Sequence, residues 1–280
     1  MSEPASSVKG IDHLIVMAPD LDRTERAWRD LGFALTPRGF HQTGGTANHL
    51  IMLDLTYVEL LGLADPAAVS PYRRLIEEAP GAAGIAFRGV ADETFDFWQA
   101  RGLHPAAPTE LARPVDVGGV SEQARFRLAT LERSDNLPFI LFCCQHLTPE
   151  FVWPADARPH PNGARSLQQL LVIVDGPDAQ AQFERITGRT ASRTAEGEAT
   201  LAIGDSSISL LSEAAFERRF GPAAGPARRT RPALAGFVLA SSSLEQARRY
   251  AQAAGWPTRA TERGFAAHGA GDGVVIEWTP

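Results

Sequence analysis

Only two cysteines occur in the 280 residues, and they are neighbours, Cys143 and Cys144. Adjacent thiols make a poor staple, so a disulfide framework is excluded and a reducing, cytoplasmic setting is the expectation. No apolar run approaches the roughly 18 residues of a membrane span, and the opening MSEPASSVKG holds no hydrophobic signal segment. Blocks of like charge are missing too. The 33 acidic and 27 basic side chains are interspersed and leave a formal charge of -6, which argues against a nucleic-acid arm. The basic stretch GPARRTRPA reads as a solvated connection. There is no Walker-type glycine loop, no GxSxG, no HExxH and no paired CxxC, so phosphate-cradle, serine-hydrolase and zinc-protease chemistries lose their usual signatures.

What is present is a repeated order of elements. IDHLIVM, from Ile11, is rich in strand formers. APD interrupts it, and RTERAWRDL follows with helical periodicity, entered by a capping-box pattern of Asp22 and Glu25 and stopped by Gly32. Three strand candidates come next: ALTPR, ANHLIML and TYVELLGL, with the glycine-rich GFHQTGGT between the first two. The order is βαβββ, and it recurs three times. As many positions separate Leu167 from Gly188 as separate Ile11 from Gly32. In that copy LQQLLVIVDGPDAQAQFERITG leads into EATLAIG and SSISLLS. Further copies begin at GIAFRGVADETFDFWQARG and at LAGFVLASSSLEQARRYAQAAG. A period of this kind decides the fold class.

Four tandem βαβββ units resemble the vicinal oxygen chelate superfamily of glyoxalases, extradiol dioxygenases and fosfomycin-resistance proteins. GTANHLIMLDLTYVELLGL and QHLTPEFVWPADARPHPNGA look like its glyoxalase-like group. The resemblance implies an α+β fold in which units pair into two cup-shaped, barrel-like mixed sheets with helices outside. The first pair of units is expected over residues 1–146 and the second over 166–280, with a Pro-rich linker at 147–165.

Strand alternation locates candidate chemistry. His13 shares a face with Ile11 and Ile15, and Glu59 shares one with Tyr57 and Leu61. Both ionisable groups sit amid apolar neighbours, and neither strand carries a Lys or Arg. A buried carboxylate needs a cation or several donors. A divalent metal such as Zn, Fe, Mn or Ni satisfies that need, because imidazole with carboxylate is a common ligand pair. The superfamily places its histidine on the first strand of a unit and its glutamate on the fourth, so the resemblance implies His13 and Glu59 as ligands. The first strand of the second unit offers only Ala83, Gly84 and Ile85 near the matching position. The expected third ligand is therefore His146, which shares a face with Cys144 on the fourth strand.

His49 is expected to face the same cup as an acid or base beside Glu59, and His41 to close over the substrate. Asn48, Tyr57, Phe142, Cys144 and Trp153 are expected to line the pocket. In the second half Gln169 and Gly236 stand where His13 stands, and Ser209 and approximately Glu277 where Glu59 stands. Glu277 with His268 makes at most a weak second site, so that half is expected to be structural or to gate ligands. The reading is a metal-dependent lyase, isomerase or dioxygenase acting on a small molecule with vicinal oxygens, with the chain monomeric or homodimeric and binding neither nucleic acid nor membrane. The alternative is a metal-free protein of the same fold that binds or sequesters a small molecule.

Overall fold

A computed structural model describes residues 6–41, 44–78, 80–132, 137–153, 159–194, 198–224, 231–269 and 273–280. The first half runs β1 (Gly10–Met17), α1 (Leu21–Asp30), β2 (Gly39–Phe40), β3 (Thr46–Met52), β4 (Tyr57–Leu63), α2 (Arg73–Glu78), β5 (Gly81–Arg88), α3 (Ala91–Ala100), β6 (Thr109–Val117), β7 (Val120–Thr130) and β8 (Ile140–His146). The second runs β9 (Ala164–Ile173), α4 (Pro177–Thr187), β10 (Ser192–Arg193), β11 (Ala199–Ile203), β12 (Ser206–Leu211), α5 (Glu213–Phe220), β13 (Ala233–Ser241), α6 (Leu244–Ala253), β14 (Thr258–Thr261), β15 (Gly264–His268) and β16 (Val275–Thr279). This is the α+β fold of paired βαβββ units.

Each half forms one eight-stranded mixed sheet. The orders are β2-β3-β4-β1-β5-β8-β7-β6 and β10-β11-β12-β9-β13-β16-β15-β14. Within a unit the first strand pairs parallel to the fourth, as β1 does to β4. The two units of a half then join through their first strands, β1 antiparallel to β5. In the first half the edge strands β2 and β6 approach each other, so the sheet curves into a nearly closed cup. Pro114 sits in edge strand β6, where a missing N–H is tolerated.

Helices α1, α3, α4 and α6 cover the convex faces, and where the halves meet they share one apolar core. Trp28 of α1 is fully buried, stacked at 6.3 Å on Phe237 of β13 and edge-on at 6.4 Å to Trp256. Trp98 of α3 donates Nε1–H to the carbonyl of Ile186 at the end of α4, 2.8 Å away. The segment HPNGA fastens this junction. His160 accepts the Ala34 N–H on Nδ1 at 3.0 Å and donates from Nε2 to the Met52 carbonyl at 2.8 Å. The buried Asn162 amide donates to the Leu31 carbonyl at 2.9 Å. Gly163 has φ +74°, and a Cβ there would press on the Ser241 and Ser242 hydroxyls at 3.0 Å, so only glycine closes this turn without strain.

Several expectations change. The helix cap is Asp20, whose side chain accepts the Arg23 N–H, because burial of Leu21 starts α1 earlier than the Asp22 pattern implies. Asp22 instead pairs with Arg38. The second strand is Gly39–Phe40 rather than ALTPR. Thr36 still bonds β3 twice, its N–H to Leu50 and its hydroxyl from Leu50, so that stretch follows the sheet without joining it as a ladder. Helices α2 and α5 lie outside the repeat altogether. Between the sheets, Pro149–Phe151 makes a 3₁₀ turn, and residues 154–158 of the expected linker fall outside the described ones.

Candidate active site

The first cup encloses a cavity of about 410 Å³ whose walls are mostly apolar and whose polar groups converge at one end. Glu59, on β4, projects inward with Tyr57 and Leu61, as alternation requires. It is nearly fully buried. Asn48 of β3 donates Nδ2–H to Glu59 Oε1 at 2.6 Å. Two imidazoles flank the carboxylate: His13 Nε2 is 3.7 Å from Oε2, and His41 Nε2 is 3.8 Å from Oε1.

His13 is held from several sides. Its ring stacks on Tyr57 with centroids 4.3 Å apart and meets the edge of Phe142 at 5.4 Å. Its Nδ1 lies 2.6 Å from Asp12 Oδ1. A β-bulge between Ile11 and His13 brings these neighbouring side chains together, where regular alternation would send them to opposite faces. Ile11 joins the helix-side core instead of sharing the cup with His13 as expected. Asp12, fully buried, also receives His146 of β8, whose Nε2 is 3.0 Å from Oδ2 and 3.1 Å from Oδ1.

Burial alone would raise the Asp12 carboxyl; hydrogen bonds and charge from His13 and His146 outweigh it and hold it at about 2. An ionised carboxylate only accepts, so His13 donates Nδ1–H to Asp12 and its Nε2 is left facing Glu59. Burial, reinforced by Asp12, Cys144 and Glu59 and partly offset by Arg113, keeps the Tyr57 hydroxyl protonated far above its ordinary range. Burial and the charges of Asp12, Cys143 and Glu59 likewise push the Cys144 thiol well up.

The structure thus brings His13, His41, Asn48, Tyr57, Glu59, Phe142 and Cys144 to the cup. It takes three expected residues elsewhere. His49 points to the opposite face of β3, where Nδ1 bonds the Thr36 carbonyl at 2.9 Å and Nε2 lies 3.2 Å from Glu25 and 3.3 Å from Arg38. Adjacent residues of a regular strand cannot both face inward, and Asn48 holds the inward position. His146 commits Nε2 to Asp12 and packs between Phe126 and Trp153, at 5.0 and 4.8 Å. Trp153 backs His146 and touches Tyr57 edge-on at 5.9 Å, behind the wall rather than in it.

Two participants escaped the sequence reading. Asp12 is one, although an acid inside GIDHLIVM, assigned by alternation to the apolar face, was itself a sign of irregular backbone. Arg113 is the other, a cation on the inner face of β6. Among the described residues, one trio of metal-type donors lies with its atoms mutually within 4.8 Å: Asp12, His13 and Cys144. Glu59 faces the remaining nitrogen of that same histidine.

The second cup is built otherwise. Helix α5 enters it, and Phe216 and Phe220 pack with Leu171, Val238 and Val275 to fill its interior. Glu277, fully buried on β16, meets Arg219 of α5 at 2.5 Å. The weak site expected from Glu277 and His268 is replaced by an internal ion pair.

A family model described as a glyoxalase-like domain matches residues 11–187, more than half of the chain. Among solved structures, a hypothetical protein from Staphylococcus aureus superposes with a TM-score of 0.64 at 13% identity, covering 96% of this chain and 98% of the other. A fusion of a xylose isomerase-like TIM barrel with 4-hydroxyphenylpyruvate dioxygenase gives 0.65 at 13% identity, covering 99% of this chain and 50% of that one. A variant of 4-hydroxymandelate synthase from Streptomyces coelicolor gives 0.62 at 13%, with 97% and 92% covered. At such identity the likeness is one of fold. No curated protein matches the sequence significantly.

Proposed function

The chain belongs to the glyoxalase-like domain family of the vicinal oxygen chelate superfamily, and from that premise we propose that its first cup is the active site of a metal-dependent enzyme acting on a small molecule with neighbouring oxygens. One observation carries the proposal. His13 Nε2 faces a carboxylate oxygen of Glu59 across 3.7 Å in a buried site. That gap is too long for a hydrogen bond. An imidazole nitrogen and a carboxylate oxygen facing each other without a hydrogen bond are the donor types that would hold a divalent cation. Asp12 fixes the other nitrogen of His13, the arrangement by which a carboxylate orients a metal-binding imidazole.

His13 and Glu59 would hold the ion. When bound, a divalent ion supplies Lewis acidity toward substrate oxygens. The rest of the chemistry belongs to side chains. Asp12 and the Tyr57 ring keep the His13 ring from turning. Asn48 holds Glu59 in its rotamer. Tyr57, kept protonated by burial, can donate a hydrogen bond to a ligand. His41, with Nδ1 2.8 Å from Thr46 Oγ1 and Nε2 toward the cavity, can accept or return a proton at a substrate carbon or oxygen. Lyase, isomerase and dioxygenase reactions all use such a set.

The test is native metal quantification on protein purified without chelator. About one ion per chain, lost in a His13→Ala, Glu59→Gln double variant that keeps its fold, supports the reading. Metal-free protein that retains a small apolar molecule instead favours a binding protein.

A further inference from the structure

We propose that the cup selects an organic anion, with Arg113 as the residue that recognises its charged end. This rests on the reading of the first cup as a substrate site, and it adds the class of substrate. Arg113 lies on the inner face of β6, between Leu111 and Val115. It is half-buried, lines the cavity, and forms no ion pair with any described residue. Its guanidinium lies 6.0 Å from the centre of the Phe126 ring, a stacking contact that holds a cation without neutralising it.

Nearby acids do not serve it. Glu110, at the cavity mouth, is engaged by Arg125 at 2.9 Å, with Arg127 at 4.0 Å. Glu59 is occupied by Asn48 and flanked by the two histidines. A guanidinium kept in a partly closed apolar cavity with no counter-charge among the described residues leaves its donors free for a ligand, and its planar fork matches a carboxylate.

The position of Arg113 also relates it to Glu59. Gly39, on the opposing edge strand β2, has no side chain, and the space a Cβ would take is bordered by Asn48 Oδ1 at 2.5 Å and Arg113 Nη1 at 3.8 Å. Arg113 therefore sits on the side of the cup served by Asn48, whose other amide atom holds Glu59. A single-ring molecule with vicinal oxygens could turn these to His13 and Glu59 and its carboxylate to Arg113 within this one cavity. Phe126 and Phe142 supply aromatic wall for such a ring.

The experiment compares 3,4-dihydroxybenzoate with its neutral amide, 3,4-dihydroxybenzamide, by titration calorimetry against wild type, Arg113→Gln and Arg113→Lys. Metal content and thermal unfolding are measured on every sample. Wild type should bind the acid roughly tenfold or more tighter than the amide, the size of a charge-assisted contact. Arg113→Gln should erase that preference with metal content and unfolding unchanged, and Arg113→Lys should keep part of it. Equal affinities in wild type, no binding of either probe, or a preference that survives in Arg113→Gln overturns the proposal. A preference that depends on Arg113 in protein without metal leaves the anion site standing while the metal reading fails. Bound metal without charge preference does the reverse.

Discussion

The two cups bury a glutamate on the fourth strand of a βαβββ unit and treat it in opposite ways. Glu277 meets an arginine at 2.5 Å beneath a helix that fills the space. Glu59 has an amide, two imidazole nitrogens beyond hydrogen-bond range, and a cavity. In the second half the charge is neutralised within the protein and the interior is closed. In the first it remains available to something from outside. In this chain, then, a buried acid is either paired off inside the protein or left facing a cavity.

Breaking the second cup should cost the most. Arg219→Met strands the Glu277 charge in a dry interior and should destabilise by about 3–5 kcal/mol, read as a lowered midpoint in urea. A Glu277→Gln change in the same background should recover much of that loss. Phe216→Ala removes part of the plug and should cost about 3–4 kcal/mol; because the first cup is untouched, metal content should stay at the wild-type level. Glu59→Gln keeps the shape and removes a charge that no basic residue compensates, so stability should move by less than about 1 kcal/mol while bound metal disappears. Loss of several kcal/mol on that change would mean Glu59 is as structural as Glu277, and the contrast between the cups would fail.

The smallest effect concerns pH. Burial, only partly offset by the hydrogen bond to Met52, lowers His160 below its ordinary 6.5. The folded protein prefers the neutral ring, which accepts from Ala34 while donating to Met52. The unfolded chain takes up the proton first, so the contribution of His160 is full above pH 6.5 and is lost as pH falls toward the lower folded value. A His160→Gln variant should show a shallower fall in stability across that acid range in urea titrations.

Much of this was legible in the sequence because it rests on period. The fourfold βαβββ order and the impoverished second half follow from the repeat, and the pairing of His13 with Glu59 from the resemblance that the repeat carries. The errors came where the period breaks or was not applied strictly. Asn48 and His49 are consecutive, so only one could enter the cup. The bulge at Asp12 moved a carboxylate to the side of His13, and that carboxylate captured His146, the expected third ligand. Helix α5, like α2 in the first half, lies in the connection after a fourth strand and outside the βαβββ order, so the repeat does not announce the plug. Arg113 sits on a strand with charged residues on both faces, and sequence alone does not show which of them lacks a partner.

The shared core bears on how the chain can be divided. Trp28 against Phe237 and Trp98 bonded to Ile186 mean that neither half finishes its own interior. A gene cut at the Pro-rich segment would yield two fragments with raw tryptophan-lined surfaces, prone to clump when made apart and to complement each other when made together. The barren half endures as the missing wall of its neighbour.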